Sequence, residues 1–108
     1  MDAGTNKKIR DFVLSVGKSR KDLKCAYLFG SYVSGSDGYN SDIDVALIMS
    51  DLSEDERFEF QVQMMVLASD FDPRIEPHPF SEKKFNQQNP FAAEIIKTGI
   101  KINALDSK

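Results

Sequence analysis

A chain of 108 residues that is 41% apolar, with eight Phe, can build one modest core, and residues 1–108 are expected to form a single domain. A formal net charge of −3 disfavours a protein that coats nucleic acid, and the lack of any apolar run of about 18 residues excludes a membrane-spanning helix. The start MDAGTNKKIRDF has no apolar secretion segment, so the expected setting is cytoplasmic, and the lone Cys25, in the run CAYLF, reads as a buried structural thiol.

Ile9, Phe12, Val13 and Val16 recur at helical spacing and predict a first helix over 5–16 or slightly beyond, with Gly17 loosening its end. Residues 24–29 read as a buried strand, closed by Gly30-Ser31, where a short turn or helix is expected to start. Residues 34–41 (SGSDGYNS) are loop by composition, and 42–49 form the second strand. Ser53-Glu54-Asp55-Glu56 has the form of a capping box, with acids near the positive end of the helix dipole, so a helix should run from there to about residue 69. Phe58, Val62 and Met65 mark one face of it, and Phe60, Met64, Leu67 and Phe71 another. Burial of both within the fold is the favoured expectation, and a partner on one face is the alternative.

Asp72-Pro73 is a turn, and residues 74–80 (RIEPHPF) alternate like a strand but contain Pro77 and Pro79. Proline cannot donate to a sheet ladder, so this strand should lie at an edge. Asn89-Pro90 opens a helix with Phe91, Ile95 and Ile96 facing inward and Gly99 as its C-cap, followed by a short strand over 100–102. The order of elements predicts an α+β fold with a mixed four-stranded sheet backed by helices.

Along the second strand Asp42 and Asp44 share a face with Ala46 and Ile48, while Ile43, Val45, Leu47 and Met49 point the other way. Two carboxylates this close repel unless a cation lies between them, and hard oxygen ligands of this kind suit magnesium. A D-x-D alone is more often a strand-start feature. Here Gly30-Ser31 precedes it by a ten-residue spacer, giving G-S-x10-D-x-D, and a glycine-serine strand end offers backbone N–H groups and a hydroxyl to a phosphate. In enzymes with a D-x-D nucleophile the acids follow the apolar strand; in this sequence they precede it, which favours metal ligation over a covalent aspartyl-phosphate.

The segment FGSYVSGSDGYNSDIDVALI resembles the signature of the minimal nucleotidyltransferases of the DNA polymerase beta-like superfamily, and IEPHPF and EIIKTGIKI are similar to that family's closing elements. The resemblance implies a nucleotidyltransferase-like fold and transfer of a nucleoside monophosphate from a nucleoside triphosphate, with ATP favoured, to a hydroxyl acceptor. It further implies two Mg2+ ions carried by Asp42 and Asp44, with Glu76 as the third carboxylate, binding metal and taking the acceptor proton. Gly30 and Ser31 would hold the triphosphate, and Ser41, beside Asp42, would orient the carboxylate or the nucleotide. His78 shares the face of Glu76 but is given no catalytic role.

Family members often carry a basic residue where Ser34 stands, so triphosphate charge must be met by magnesium or by a lysine from elsewhere, with those at 18–24 as candidates. Clusters at Lys7-Lys8, at 18–24 and at Lys83-Lys84 are otherwise read as solvated helix faces. So short a chain leaves little to build an acceptor pocket. By resemblance the acceptor lies on a helical HEPN-type toxin, with this chain as antitoxin; a homo-oligomer would equally use the apolar surface of the 53–70 helix. The competing readings are a catalytically inactive antitoxin or binding module, and a nucleotide sensor without turnover.

Overall fold

The structure, a computed structural model, describes residues 3–34 and 42–102. Helix α1 spans Ala3–Ser19, strand β1 Leu23–Phe29, the one-turn helix α2 Ser31–Ser34, β2 Ile43–Met49 and α3 Glu54–Ser69. Strand β3 spans Ile75–Ser81, α4 Pro90–Thr98 and β4 Ile100–Ile102, with a 3-10 turn at Glu82–Lys84. The strands form one sheet in the order β3-β2-β1-β4. Strand β1 is antiparallel to β2 and to β4, whereas β2 and β3 are parallel and joined by α3 as a crossover. This is the expected α+β architecture.

Alternation along β2 decides the layers. Ile43, Val45, Leu47 and Met49 are fully buried against Ile9, Phe12, Val13 and Val16 of α1 and Phe60, Met64 and Ala68 of α3. Ala46 and Ile48 face the other way, where Phe80 and Ile95 of α4 cover them. A central strand buried on both faces reads as a continuous apolar run, as IDVALIM does.

Strand β3 lies at the edge, as its prolines require. The backbone carbonyls of Pro77 and Pro79 accept hydrogen bonds from Gln61 Nε2 and Arg57 Nε of α3, each at 3.0 Å. Helix α3 starts with the expected capping box, in which Glu56 N–H donates to Ser53 Oγ at 3.3 Å and Ser53 N–H donates to Glu56 Oε1 at 3.1 Å. Asn89 caps α4 through its side-chain oxygen, with Pro90 in the first turn.

Four expectations are corrected. Gly17 does not loosen α1: the helix continues to Ser19, and Arg20 N–H reaches the Val16 carbonyl at 2.8 Å. The α3 face marked by Phe58, Val62 and Met65 is not buried, since Phe58 is 77% and the neighbouring Val66 67% exposed, with Val62 and Met65 also exposed. Phe91 faces the sheet only in part: its ring packs on Phe29 and Phe80, at 5.8 and 5.7 Å, yet it stays 52% exposed, while Ala92 and Ile95 fill the core. The thiol of Cys25 is only half-buried, and burial pushes its pKa up, so it is poorly ionised. At Gly99 the C-cap residue is extended; a side chain there would crowd the carbonyl oxygens of Ile95 and Leu28, at 2.6 and 3.0 Å from its Cβ.

Candidate active site

The parallel pairing of β2 with β3 sets Asp44 opposite Glu76 and Ala46 opposite His78. Glu76 and His78 are two residues apart and share a face, the one on which Asp44 lies. His78 Nε2 sits 2.9 Å from Asp44 Oδ1 and 3.6 Å from Glu76 Oε1. One ligand atom from each of the three residues falls within 4.8 Å of the others, and all three are half-buried. The imidazole also packs against Phe29, with ring centroids 5.2 Å apart. Burial, first, and then contact with Asp44 raise the pKa of Glu76; His78 works against this, and the charges of Asp42 and Asp44 add to it.

Gly30 makes this crowding feasible. It has a φ of 84°, a left-handed conformation, and any Cβ there would collide with the Asp44 carboxylate. Two amides of the next turn, Val33 and Ser34, donate to the Gly30 carbonyl at 3.1 and 3.2 Å. Ser31 starts α2, and Ser34 Oγ donates to the Ser31 carbonyl at 3.1 Å. Tyr32 ties the turn to α1 by a 3.2 Å hydrogen bond to Asn6. Beside Gly30 opens a cleft of about 510 Å³ lined by Phe29, Ser34, Phe91, Glu94 and Thr98.

Asp44 and Glu76 therefore come together beside Gly30. Asp42 lies exposed one residue ahead of β2; its charge acts on Glu76, but its carboxylate is not one of the three gathered groups. Ser41 lies outside the described residues. His78 is the residue the sequence reading left out, and only the register between β2 and β3 reveals it. The lysines at 18–24 are at the wrong end. Leu23 pairs with Met49 whereas Phe29 pairs with Asp44, so the full length of β1, about 20 Å, separates them from the carboxylates. Within that stretch Arg20 is engaged elsewhere, with Asp22 at 2.9 Å and over the ring of Phe60.

A family model described as polymerase beta, nucleotidyltransferase, matches residues 13–108. The chain belongs to this family. A Sulfolobus solfataricus protein proposed to be a nucleotidyltransferase shares its fold with a TM-score of 0.61 and 22% identity, over 88% of this chain and 76% of that one. A chain of a toxin–antitoxin complex with AMP-PNP matches at 0.60 and 24% identity, over 86% of this chain and 71% of its own. A third match, at 0.59 and 20% identity over 91% and 71%, is the complex of tri-AMPylated Shewanella oneidensis HEPN toxin with its MNT antitoxin. Among curated proteins none matches.

The donor chemistry fits the divalent cation that nucleotidyltransferases of this family employ. Asp44 and Glu76 with an imidazole nitrogen gather their ligand atoms within 4.8 Å of one another; Asp44 adds to the cost of ionising Glu76, and a cation among them would offset that repulsion. No helix among the described residues is long and apolar enough to cross a membrane.

Proposed function

We propose that this single-domain chain transfers a nucleoside monophosphate, AMP from ATP in the favoured case, to a hydroxyl of a helical HEPN-type partner. The observation that carries the reading is the convergence of Asp44 and Glu76 beside the left-handed Gly30 turn. The acceptor oxygen attacks the α-phosphorus, the bond to the bridging oxygen of the β-phosphate breaks, and pyrophosphate leaves. The acceptor proton passes to Glu76, the carboxylate that β3 sets opposite Asp44.

Asp42, Asp44 and Glu76 would hold two Mg2+ ions, which supply charge neutralisation for the triphosphate and a Lewis acid at the reacting phosphorus. Gly30 and Ser31 would orient the triphosphate through backbone N–H and hydroxyl, with Ser41 beside them. The cytoplasm provides the nucleotide.

The exposed stripe Phe58, Val62, Met65 and Val66 on α3 supports a protein partner. Asp55 and Glu59 lie exposed on the same helix, and the chain offers no cation from α3's last turn to oppose them in a second copy. A helical partner with basic residues flanking an apolar face meets this surface better than a homo-oligomer does. Toxin–antitoxin complexes among the solved relatives support the same partner class. The α3 surface equally favours a second reading, an inactive binding module that recognises the partner without transfer.

The experiment is incubation of the purified protein with Mg2+, each labelled nucleoside triphosphate and a co-expressed helical partner. Label should pass from ATP to the partner, and Glu76→Gln should keep nucleotide binding while transfer falls about 100-fold or more. Partner binding with no label transferred by the wild type would leave the binding module as the correct reading.

A further inference from the structure

We propose that His78 is itself a metal ligand, completing with Asp44 and Glu76 a two-oxygen, one-nitrogen donor set that shifts the site's preference from Mg2+ toward first-row transition cations. The inference rests on the nucleotidyltransferase reading only in expecting a divalent cation at the two carboxylates.

Three observations point to it. The same ring nitrogen, Nε2, faces both acids, at 2.9 Å from Asp44 Oδ1 and 3.6 Å from Glu76 Oε1, separations of the size found between neighbouring ligand atoms of one cation. The ring is held there from two sides: the backbone of β3 fixes its origin opposite Ala46, and Phe29 packs against its face at 5.2 Å. The imidazole is half-buried between them, which limits the positions it can take up in place of this one. With the imidazole proton on Nδ1, Nε2 offers its lone pair to a cation; with the proton on Nε2, the same nitrogen donates to Asp44 Oδ1.

Ligand chemistry then sets the preference. Mg2+ demands oxygen donors and keeps several waters, whereas imidazole raises affinity for transition cations and does little for magnesium. A site of carboxylates alone has no such bias beyond the general order of the series. His78 thereby becomes a specificity-determining residue for the metal.

Pulsed EPR of the full chain loaded with Mn2+ tests this directly. The spectrum should show hyperfine coupling to a single 14N nucleus, absent in His78→Gln. Competition binding should show Mn2+ preferred over Mg2+ by about tenfold more in the wild type than in His78→Gln, with Mg2+ affinity changed by less than about threefold. His78→Asn, which also preserves a polar side chain on β3, should behave as His78→Gln does, and unaltered circular dichroism would show both variants folded. A Mn2+ spectrum without nitrogen coupling overturns the proposal and leaves His78 as a residue that only holds Asp44. Nitrogen coupling in a protein that transfers no nucleotide would sustain the metal site while removing the transferase reading, so the two fail separately.

Discussion

The two faces of β2 are built from the same seven residues and do opposite things. On one, Ile43, Val45, Leu47 and Met49 are sealed by α1 and α3 along the whole strand. On the other, Ala46 and Ile48 pack with Phe80 and Ile95, and Asp44 lies half-buried at the strand's start beside Glu76 and His78, next to the cleft that α4 lines beside Gly30. The polar group at the strand's start is tolerated because it stays partly open to solvent and meets His78 at 2.9 Å. Stability resides in one face and chemistry at the start of the other.

That division can be broken at several points. Asp44→Asn is expected to lower nucleotidyl transfer by about a thousandfold while the urea midpoint stays within error, since its carboxylate contributes charge to the site and no packing. On the sealed face Leu47→Ala should cost about 2–5 kcal/mol in denaturant unfolding, with metal affinity per folded molecule unchanged. An equal loss of metal affinity in both variants would show that the faces are not separable.

Gly30→Ala tests the junction between them. The left-handed backbone penalty is about 1–2 kcal/mol, and displacement of the Asp44 carboxylate should weaken Mn2+ binding in the same variant. A variant that lost stability but kept metal affinity would place the Asp44 position under other control.

Asp72 offers a pH test on the sealed side. Its buried carboxylate accepts from Arg74 at 2.8 Å and from the Arg74 backbone N–H at 2.9 Å, and the arginine in turn donates to Thr5 Oγ1 at 3.2 Å. The arginine hydrogen bond, opposed by burial, holds its pKa below the ordinary 3.8. A depressed pKa gives stability that is complete above the unfolded value and lost as pH falls through the folded one. Thermal midpoints measured from pH 6 downward should therefore fall below about pH 4 in the wild type, and less steeply in Asp72→Asn. The smallest expected effect on stability is at α3: Phe58→Ser with Val66→Ser should change it by about 0.5 kcal/mol or less, yet abolish partner capture. Unimpaired capture would remove α3 from the partner interface.

Much of this was legible from local pattern. The capping box at Ser53, the Asn89-Pro90 start, the alternation of β2 and the edge position of a strand with two prolines each depend on residues within one element. What escaped depends on elements meeting. His78 acquires its place only when β3 aligns parallel to β2, and the lysines at 18–24 are excluded only once β1 is seen to run toward the site from its far end. The outer stripe of α3 looks like core by composition; which side of the helix the sheet takes is settled only in the fold, and Phe58, Val62, Met65 and Val66 fall on the other. Asp42 stands one residue ahead of β2, and its charge, like that of Asp44, bears on Glu76.

The carbonyls of Pro77 and Pro79, taken by Gln61 and Arg57, carry a consequence for how this molecule can meet others. At these two positions the backbone has no N–H to give and its carbonyls are already engaged, so an incoming extended segment finds a poor template in the middle of the strand. Strand pairing through the middle of that margin is disfavoured, and α3, whose side chains engage it, is the surface on this flank that others meet.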